Sequence, residues 1–364
     1  MIRLTPLALA LACGTATDPQ PPAGGRVVPV SPMTVSRATH TATLLPDGRV
    51  LIAGGFSAGV TALASAELYD PVRKRFSAIL PMAHARSGHS AVLLPSGLVL
   101  IAGGYDGSYL RSAELYDPAA GSFRPTGSMT TARSGHVAVL LGNGKVLLAG
   151  GVGTGWTFLD TAELYDPATG TFLPTGPMTV ARESHTASLL GDGRVLITGG
   201  HRGRHEAIVI YASAEVYDPA TGQFTASASM GTRRHKHDAV SLADGSVLIV
   251  GGADERDDRG AYRSTERYDP EIARFSEAGT MHVARYKLNG SSVLLPDGTV
   301  LLLGGAGVSE IYDPASQAFR VIPQGVGVAR LFASSTKLSD GNVLLVGGYG
   351  NGVSSSAQAW EYRR

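Results

Sequence analysis

The sequence contains little cysteine and little charge. Cys13 is the only cysteine among 364 residues, so the chain cannot form an internal disulfide. The 31 basic and 30 acidic side chains leave a net charge of +1, which gives no electrostatic reason to expect binding to nucleic acid or to an anionic membrane. Because 43% of the residues are hydrophobic and only 17% are charged, the composition is typical of a packed protein.

The chain also lacks the patterns of helices and of several enzyme classes. No segment after residue 25 has helical periodicity. A nucleophile elbow, a phosphate-binding loop, a dinucleotide-binding glycine pattern and the HExxH zinc pattern are all absent from the sequence. Glycine, in contrast, is abundant at 47 residues, which indicates many tight turns.

The first twelve residues predict export. Residues 1–3 are a short positive start, and residues 4–12 are a short apolar run that ends directly before Cys13. This pattern resembles a bacterial lipoprotein signal, cleaved before Cys13, which then carries the lipid. An ordinary secretory signal or a misassigned start codon is the alternative. Residues 13–25 are rich in Pro, Gly and Thr and predict a flexible tether, so we expect a cell-envelope protein that meets the membrane only through its lipid.

Residues 26–364 repeat one template. The template reads A-E-x-Y-D-P, a Phe, a Met, R-x-x-H, an apolar run, a D-G or N-G turn, and V-L-x-x-G-G, with Leu288 and Ala333 in place of the His in the last two copies. A period of roughly 40 to 50 residues indicates a propeller or a solenoid. The Gly-Gly pairs that mark the copies lie at Gly54-Gly55, Gly103-Gly104, Gly150-Gly151, Gly199-Gly200, Gly251-Gly252, Gly304-Gly305 and Gly347-Gly348.

Each copy predicts four short antiparallel strands, which make one propeller blade. In the first copy the strands fall at residues 40–45, 50–53, 66–69 and 75–79, with Pro-Asp-Gly between the first two. The double glycine, the Tyr-Asp-Pro and the Met-x-x-x-Arg linker resemble Kelch repeats over residues 26–364. The Trp that is usual on the fourth strand of such repeats is Phe here.

The spacing also predicts how the ring closes. Each Phe precedes its Met by six residues, and six residues before Met33 lies Val27. The last copy, residues 330–364, ends after its third strand. Residues 26–30 are therefore expected to complete that blade, which gives an all-β, seven-bladed propeller whose sheet edges are shielded.

The repeated polar residues are expected to serve the fold. The arginines that precede each innermost strand could ring the channel mouth and attract an anion, but we favour pairing with a backbone carbonyl or a repeat glutamate. Five histidines are interpreted as packing or hydrogen-bonding residues because equivalent positions on separate blades are too far apart to share a metal ion. These sets are Arg37, Arg86, Arg133, Arg182, Arg234, Arg285 and Arg330, and His40, His89, His136, His185 and His237.

The loops between second and third strands vary in length and share one face with the blade linkers, so we place the functional site there. The longest loops belong to blades four and five. Their polar residues could form a metal site, an acid–base pair or a polar ligand site, or remain solvated. The candidate ligand-binding residues are His201, Arg202, Arg204, His205, His235, Asp254, Asp257 and Asp258, with the aromatic residues Tyr105, Trp156 and Tyr262.

We expect a monomeric binding module for a protein or a glycan, with no metal and no cofactor. The alternatives are a cofactor-free carbohydrate-active enzyme of isomerase or hydrolase type, built on the polar loops of blades four and five, and a purely structural surface protein. Galactose oxidase and its kin resemble this chain in having a seven-bladed Kelch body. Their copper radical site needs a Tyr cross-linked to a Cys, and Cys13 lies in the expected anchor, so the sequence excludes that chemistry.

Overall fold

Each repeat folds into one four-stranded antiparallel sheet in the computed structural model. The structure describes residues 25–59, 61–288, 290–350 and 354–364. The expected signal, Cys13 and almost all of the expected tether lie outside the described residues. The described residues form seven such sheets, which we number as blades 1 to 7 in chain order.

The four strands of a blade follow one another in the chain and in the sheet, except in blade 7. Their bounds are Thr41–Leu44, Val50–Ala53, Ala66–Asp70 and Arg75–Ile79 in blade 1; Ser90–Leu93, Val99–Ala102, Ala113–Asp117 and Ser122–Pro125 in blade 2; Val137–Leu140, Val146–Ala149, Ala162–Asp166 and Thr171–Thr175 in blade 3; Thr186–Leu189, Val195–Thr198, Ala214–Asp218 and Gln223–Ser227 in blade 4; Asp238–Ser241, Val247–Val250, Tyr262–Asp269 and Arg274–Arg285 in blade 5; Ser292–Leu294, Val300–Leu302, Ser309–Asp313 and Ala318–Ile322 in blade 6; and Ser334–Lys337, Val343–Val346, Ala359–Arg363 and Arg26–Val30 in blade 7.

The blades form a closed ring around the first strand of each. Every first strand contacts the first strands of the two neighbouring blades, and blade 7 contacts both blade 6 and blade 1. The strand Arg26–Val30 pairs antiparallel with Ala359–Arg363, with Val27 opposite Tyr362. The predicted closure is confirmed, and it leaves no unpaired edge at the junction of the two termini.

The core lies between blades rather than inside any one of them. The second strand of blade 1 is buried throughout, and its Leu51 packs with Leu68 of the same blade and with Val99 and Tyr116 of blade 2. Burial of one such side chain contributes about 1.5–3 kcal/mol. In blades 1 to 6 the repeat Tyr is buried and packs at a tilt against the Phe that replaces the usual Trp, at 4.8 Å between ring centroids for Tyr217 and Phe224.

The double glycine is explained by crowding at the blade junction. Gly150 has a φ of +69°, and a Cβ there would lie 2.7 Å from Cε1 of His185 in the next blade. The imidazole of each repeat histidine therefore occupies the space that a side chain would need, and the left-handed backbone favours glycine independently.

Two of the long loops carry structure of their own. The loop of blade 3 forms a small hairpin from Val152–Gly153 and Thr157–Phe158 around a 3₁₀ turn at Thr154–Trp156. The loop of blade 4 does the same with His201–Arg202 and Val209–Ile210 around His205–Ala207, and blade 5 has a third 3₁₀ turn at Asp257–Gly260. No strand was predicted in these loops from the sequence, but hydrogen bonds within the loops position their side chains.

Candidate ligand-binding site

The repeated arginines are structural, as favoured from the sequence. Arg133 is fully buried and donates from Nη1 to the carbonyl of Gly150 at 2.9 Å and from Nη2 to Glu163 Oε1 at 2.9 Å. Glu163 in turn accepts from the backbone N–H of Thr130 at 2.7 Å. We call the six equivalent pairs the arginine–glutamate pairs: Arg37–Glu67, Arg86–Glu114, Arg133–Glu163, Arg182–Glu215, Arg234–Glu266 and Arg285–Glu310.

These pairs tie each linker to its own blade. Their guanidinium groups are inaccessible, so they do not ring the channel mouth or offer an anion site. Arg330 departs from the pattern because its Nη2 donates to Gln358 instead of to a glutamate. This exception belongs to the degenerate blade 7, where the third strand carries Trp360-Glu361-Tyr362.

The repeat histidines do more than pack. His89 Nε2 lies 2.9 Å from Oγ1 of Thr41, which belongs to the first strand of the preceding blade, so the ring joins neighbouring blades as expected. Four of the repeat histidines also line a cavity on the long-loop face: His40, His89, His136 and His185. Burial lowers the pKa of His40 and of His136 to about 3, and the neighbouring arginine adds to the shift, so these imidazoles are neutral.

The cavity has a volume of about 540 Å³ and lies at the centre of the ring. A volume of this size falls within the range of small-molecule sites. Blades 1 to 3 supply an aromatic half. Tyr109 packs edge-on against Trp156 at 5.9 Å and against Tyr105 at 5.1 Å between centroids, and Phe56 lines the adjoining wall. Trp156 is 54% exposed, so its ring is available at the mouth.

The half contributed by blades 4 and 5 is polar. His201 and His235 are buried with their Nδ1 atoms 3.2 Å apart, so one ring donates and the other accepts. Glu183 Oε2 lies 3.8 Å from His201 Nε2, and Asp257 Oδ1 lies 3.5 Å from His235 Nε2. We call these four residues the acid–imidazole cluster. It leads from a carboxyl group in the cavity to a carboxylate that is 38% exposed at the surface.

Burial and charge set the protonation of the cluster. Burial lowers the pKa of His201 to about 3, and the nearby His235, Lys236 and Arg204 add to the effect. Burial raises the pKa of Glu183 although Arg204 and Lys236 act in the opposite direction. For Asp257, burial is outweighed by His235, Lys236 and Lys287, which together hold its pKa well below the usual range. The cluster therefore combines a carboxyl group whose pKa is raised, that of Glu183, with a neutral imidazole at His201.

Arg204 joins the two halves of the cavity. Its guanidinium carbon lies 3.8 Å from the centroid of the Trp156 ring, a cation–π contact. Its Nη2 lies 3.5 Å from Glu183 Oε2. One side chain thus stacks on the aromatic wall and faces the carboxyl group.

The structure brings together some of the predicted site residues and separates others. Tyr105, Trp156, His201 and Arg204 line the cavity, and His235 and Asp257 support it from behind through the acid–imidazole cluster. The other predicted residues do not line it: Arg202, His205, Asp254, Asp258 and Tyr262.

Local contacts explain the separated residues. Asp254 is engaged by Arg256, with Oδ2 and Nη2 2.6 Å apart. Tyr262 lies under the guanidinium of Arg234, with 5.5 Å between the guanidinium carbon and the ring centroid. Arg202 and His205 are exposed on the blade 4 hairpin, as is Asp258 on the blade 5 loop.

Sequence reasoning missed Glu183, Ser184 and Lys236, which all line the cavity. The three residues occupy the two positions between the Arg and the His of a linker. The second of these positions has a left-handed backbone, with φ of +55° at Ser184 and +53° at Lys236. Since the linker turns there beside the innermost strand, these two positions face the cavity. The residues at these positions vary among the copies, and this variation was the sequence signal that could have identified them.

Two further findings concern the described residues. Among residues 25–59, 61–288, 290–350 and 354–364, no three His, Cys, Asp or Glu side chains converge as metal ligands do. No helix in those ranges has the length and the apolar character needed to cross a membrane.

Comparisons with known proteins agree with the architecture. The Kelch motif matches residues 85–130, 132–179 and 184–231. A structure of a fungal alcohol oxidase of the AA5 family in complex with copper is similar, with a TM-score of 0.74 and 16% identity over 93% of this chain and 76% of that one. At that identity the similarity concerns the fold alone. No curated protein matches the sequence. The chain thus contains Kelch motifs and folds as a seven-bladed β-propeller.

Proposed function

We propose that this Kelch propeller is a binding module that takes a glycan in the central cavity of its long-loop face. The observation that carries the proposal is the division of that cavity into an aromatic half and a hydrogen-bonding half. Sugars present apolar C–H faces and rings of hydroxyl groups, and they are held by aromatic stacking together with directed hydrogen bonds. Tyr109 and Trp156 supply the first, while Glu183, Ser184 and Arg204 supply the second.

The test is sugar binding by the full chain, followed through tryptophan emission and calorimetry. The chain has two tryptophans: Trp156, which is 54% exposed at the mouth, and Trp360, which is 8% exposed in blade 7. Glucose, galactose, N-acetylglucosamine and glucuronate form the first panel. A ligand in the cavity changes the emission of Trp156, and Trp156→Ala lowers affinity by up to about tenfold.

Two variants serve as controls. Trp156→Phe keeps an aromatic ring and retains most of the affinity while removing the optical signal. Val72→Ala alters an exposed side chain in the turn between the third and fourth strands of blade 1 and leaves binding unchanged. Absence of any binding by calorimetry would overturn the glycan proposal and leave a protein partner as the occupant of this face.

We further propose that the protein is exported and anchored by a lipid on Cys13. The support is the short positive start, the apolar run and the position of the cysteine. Expressed in a bacterial host, the full chain is expected in the membrane fraction with a lipid mass on its first residue. Cys13→Ser moves it to the soluble fraction if the lipid is the anchor, and an unmodified mature terminus in the parent chain contradicts the proposal.

The second candidate is a cofactor-free carbohydrate-active enzyme. The observation that favours it is Glu183, whose pKa is raised by burial and which lies in the cavity beside His201. A carboxyl group whose pKa is raised keeps its proton to a higher pH than usual, which suits it to act as a general acid. Isomerisation of reducing sugars, followed by NMR, and hydrolysis of aryl glycosides test this candidate. Glu183→Gln should stop turnover and retain binding, whereas Glu255→Gln, on the surface of the same face, should not affect turnover.

A further inference from the structure

The repeat histidines follow a pairing rule that one of them breaks. In four cases the histidine Nε2 lies within hydrogen-bond distance of a hydroxyl group in the preceding blade. The residue that carries this hydroxyl comes directly after the repeat-histidine position of that preceding blade. The four pairs are His40 with Ser334, His89 with Thr41, His136 with Ser90 and His237 with Thr186, at 2.8 to 3.1 Å. For His185 that residue is Val137, which has no hydroxyl.

His185 is consequently unpaired. It is 2% exposed, and neither of its ring nitrogens has a hydrogen-bond partner among the residues that the structure describes. Burial and the charge of Arg182 lower its pKa well below the ordinary value, so the ring is neutral and offers one donor and one acceptor. The carbonyl of Ala149 lies near the ring and acts on its pKa, but it forms no hydrogen bond of good geometry.

An unpaired buried imidazole destabilises the fold, because it gives up its hydrogen bonds to water and gains none in return. The fold does not require an imidazole at this place, because blade 6 carries Leu288 in the equivalent position. His185 and Val137 both line the central cavity, as do Glu183 and Ser184. The exception to the pairing rule thus lies at the wall of the cavity, on the side where the polar half begins.

We propose that His185 Nε2 and Val137 form a hydroxyl subsite of the cavity. The subsite rests on the proposed glycan function for the class of its ligand. A hydroxyl group both donates and accepts, so it satisfies Nε2 whichever nitrogen carries the proton. The Val137 side chain contacts the C–H face of the same sugar. The ligand hydroxyl then supplies the hydrogen bond that a serine or a threonine supplies at the other four histidines.

The decisive variant is Val137→Ser, which restores the hydroxyl of the repeat. The new hydroxyl bonds His185 Nε2, so the ligand loses its partner, and the gained bond is measured against Val137→Ala, which also removes the methyl groups that pack on the core. We expect a higher denaturation midpoint for Val137→Ser than for Val137→Ala, together with a three- to tenfold weaker affinity than the parent chain for the tightest sugar of the panel, since a hydrogen bond contributes about 0.5–1.5 kcal/mol. His185→Leu, which introduces the side chain that blade 6 has at this position, should weaken binding by a similar factor.

Ser90→Val is the matched control. It removes the hydroxyl that bonds His136 and leaves His185 untouched, so it should lower the denaturation midpoint without changing affinity. A series of deoxy sugars identifies the hydroxyl concerned. The sugar that lacks it binds the parent chain more weakly but binds the Val137→Ser variant as well as the intact sugar does.

The outcomes separate the two proposals. If the parent chain binds a sugar and Val137→Ser binds it equally well, the hydroxyl subsite is wrong and the glycan function stands. If the parent chain binds no sugar, both fail. If the midpoint of Val137→Ser does not exceed that of Val137→Ala, the hydroxyl does not bond His185 Nε2, and the inference is overturned whatever the ligand result.

Discussion

Two sets of buried polar side chains lie near the same face of this propeller and have opposite characters. In the arginine–glutamate pairs, every guanidinium meets a carboxylate and a carbonyl, as Arg133 does with Glu163 and Gly150. Around the cavity, His185 has no partner among the described residues, and the two imidazoles of the acid–imidazole cluster make their one contact of hydrogen-bond length with each other. The first set recurs in six blades, whereas the second occurs once. Repeated polar groups hold the blades together, and those that break the repeat are free to meet a ligand.

The largest expected effect is the pH dependence of the free energy of unfolding, which comes from the buried imidazoles and not from the arginine–glutamate pairs. The imidazoles of His40, His136 and His201 have pKa values of about 3, against an ordinary value of 6.5, so the unfolded chain binds more protons between these values. The free energy of unfolding should therefore decrease as the pH falls from about 6.5 toward 3, by about 1.4 kcal/mol per pH unit for each histidine. The raised pKa values of Glu183 and Asp238 act in the opposite direction.

Denaturation midpoints at intervals from pH 7.5 to pH 4 measure this slope. His185→Leu removes one buried imidazole without removing a partner. It should reduce the dependence of the unfolding free energy on pH by the contribution of about one bound proton. A midpoint that does not change over this range would show that the imidazoles are protonated in the folded chain and would contradict their assignment as neutral groups.

The next effect concerns a single arginine–glutamate pair. Arg133→Met leaves Glu163 charged, buried and without its cation, so the free energy of unfolding should fall by about 3–5 kcal/mol. Arg330→Met is the matched control because Arg330 bonds the neutral Gln358 and leaves no carboxylate behind. Chemical denaturation of the two variants gives the comparison. Equal losses would mean that the arginines act through packing and not through the ion pair.

The smallest effect concerns the cluster. Glu183→Gln keeps the shape of the side chain and removes a charge that burial already disfavours, so the free energy of unfolding should change by less than about 1 kcal/mol. Glu163→Gln, in an arginine–glutamate pair, should lose several times more because Arg133 stays buried and charged. If both variants lost the same amount in the same denaturation experiment, the distinction between structural and ligand-facing groups would fail.

Most of the fold could be predicted from the sequence because its signals are local and occur in seven registered copies. The predicted strands of blade 1 differ from the observed ones by one residue at most, and the pairing of residues 26–30 with the last blade followed from counting residues. The accessory hairpins of blades 3 and 4 could not be predicted, since each occurs once and has no second copy to reveal it.

The candidate site was predicted only in part. His201 and Arg204 were identified as loop residues with unusual chemistry, and both line the cavity. The partner carboxylates could not be chosen from the sequence: among the acidic residues of the blade 5 loop, the 3₁₀ turn directs Asp257 toward His235, whereas Asp254 bonds Arg256. Glu183 was overlooked because it lies in a linker rather than in a long loop.

The sequence alone determined the number of blades, the closure of the ring and the structural role of the arginines. These properties depend on contacts within a blade or between neighbouring blades, and the residues that make these contacts recur from copy to copy. Only the tertiary structure decided which side chains share the cavity, because closing the ring brings together single residues from linkers that are far apart in the chain. For the same reason, only the closed ring shows that Val137 and His185 line the same cavity, which is the basis of the proposed hydroxyl subsite.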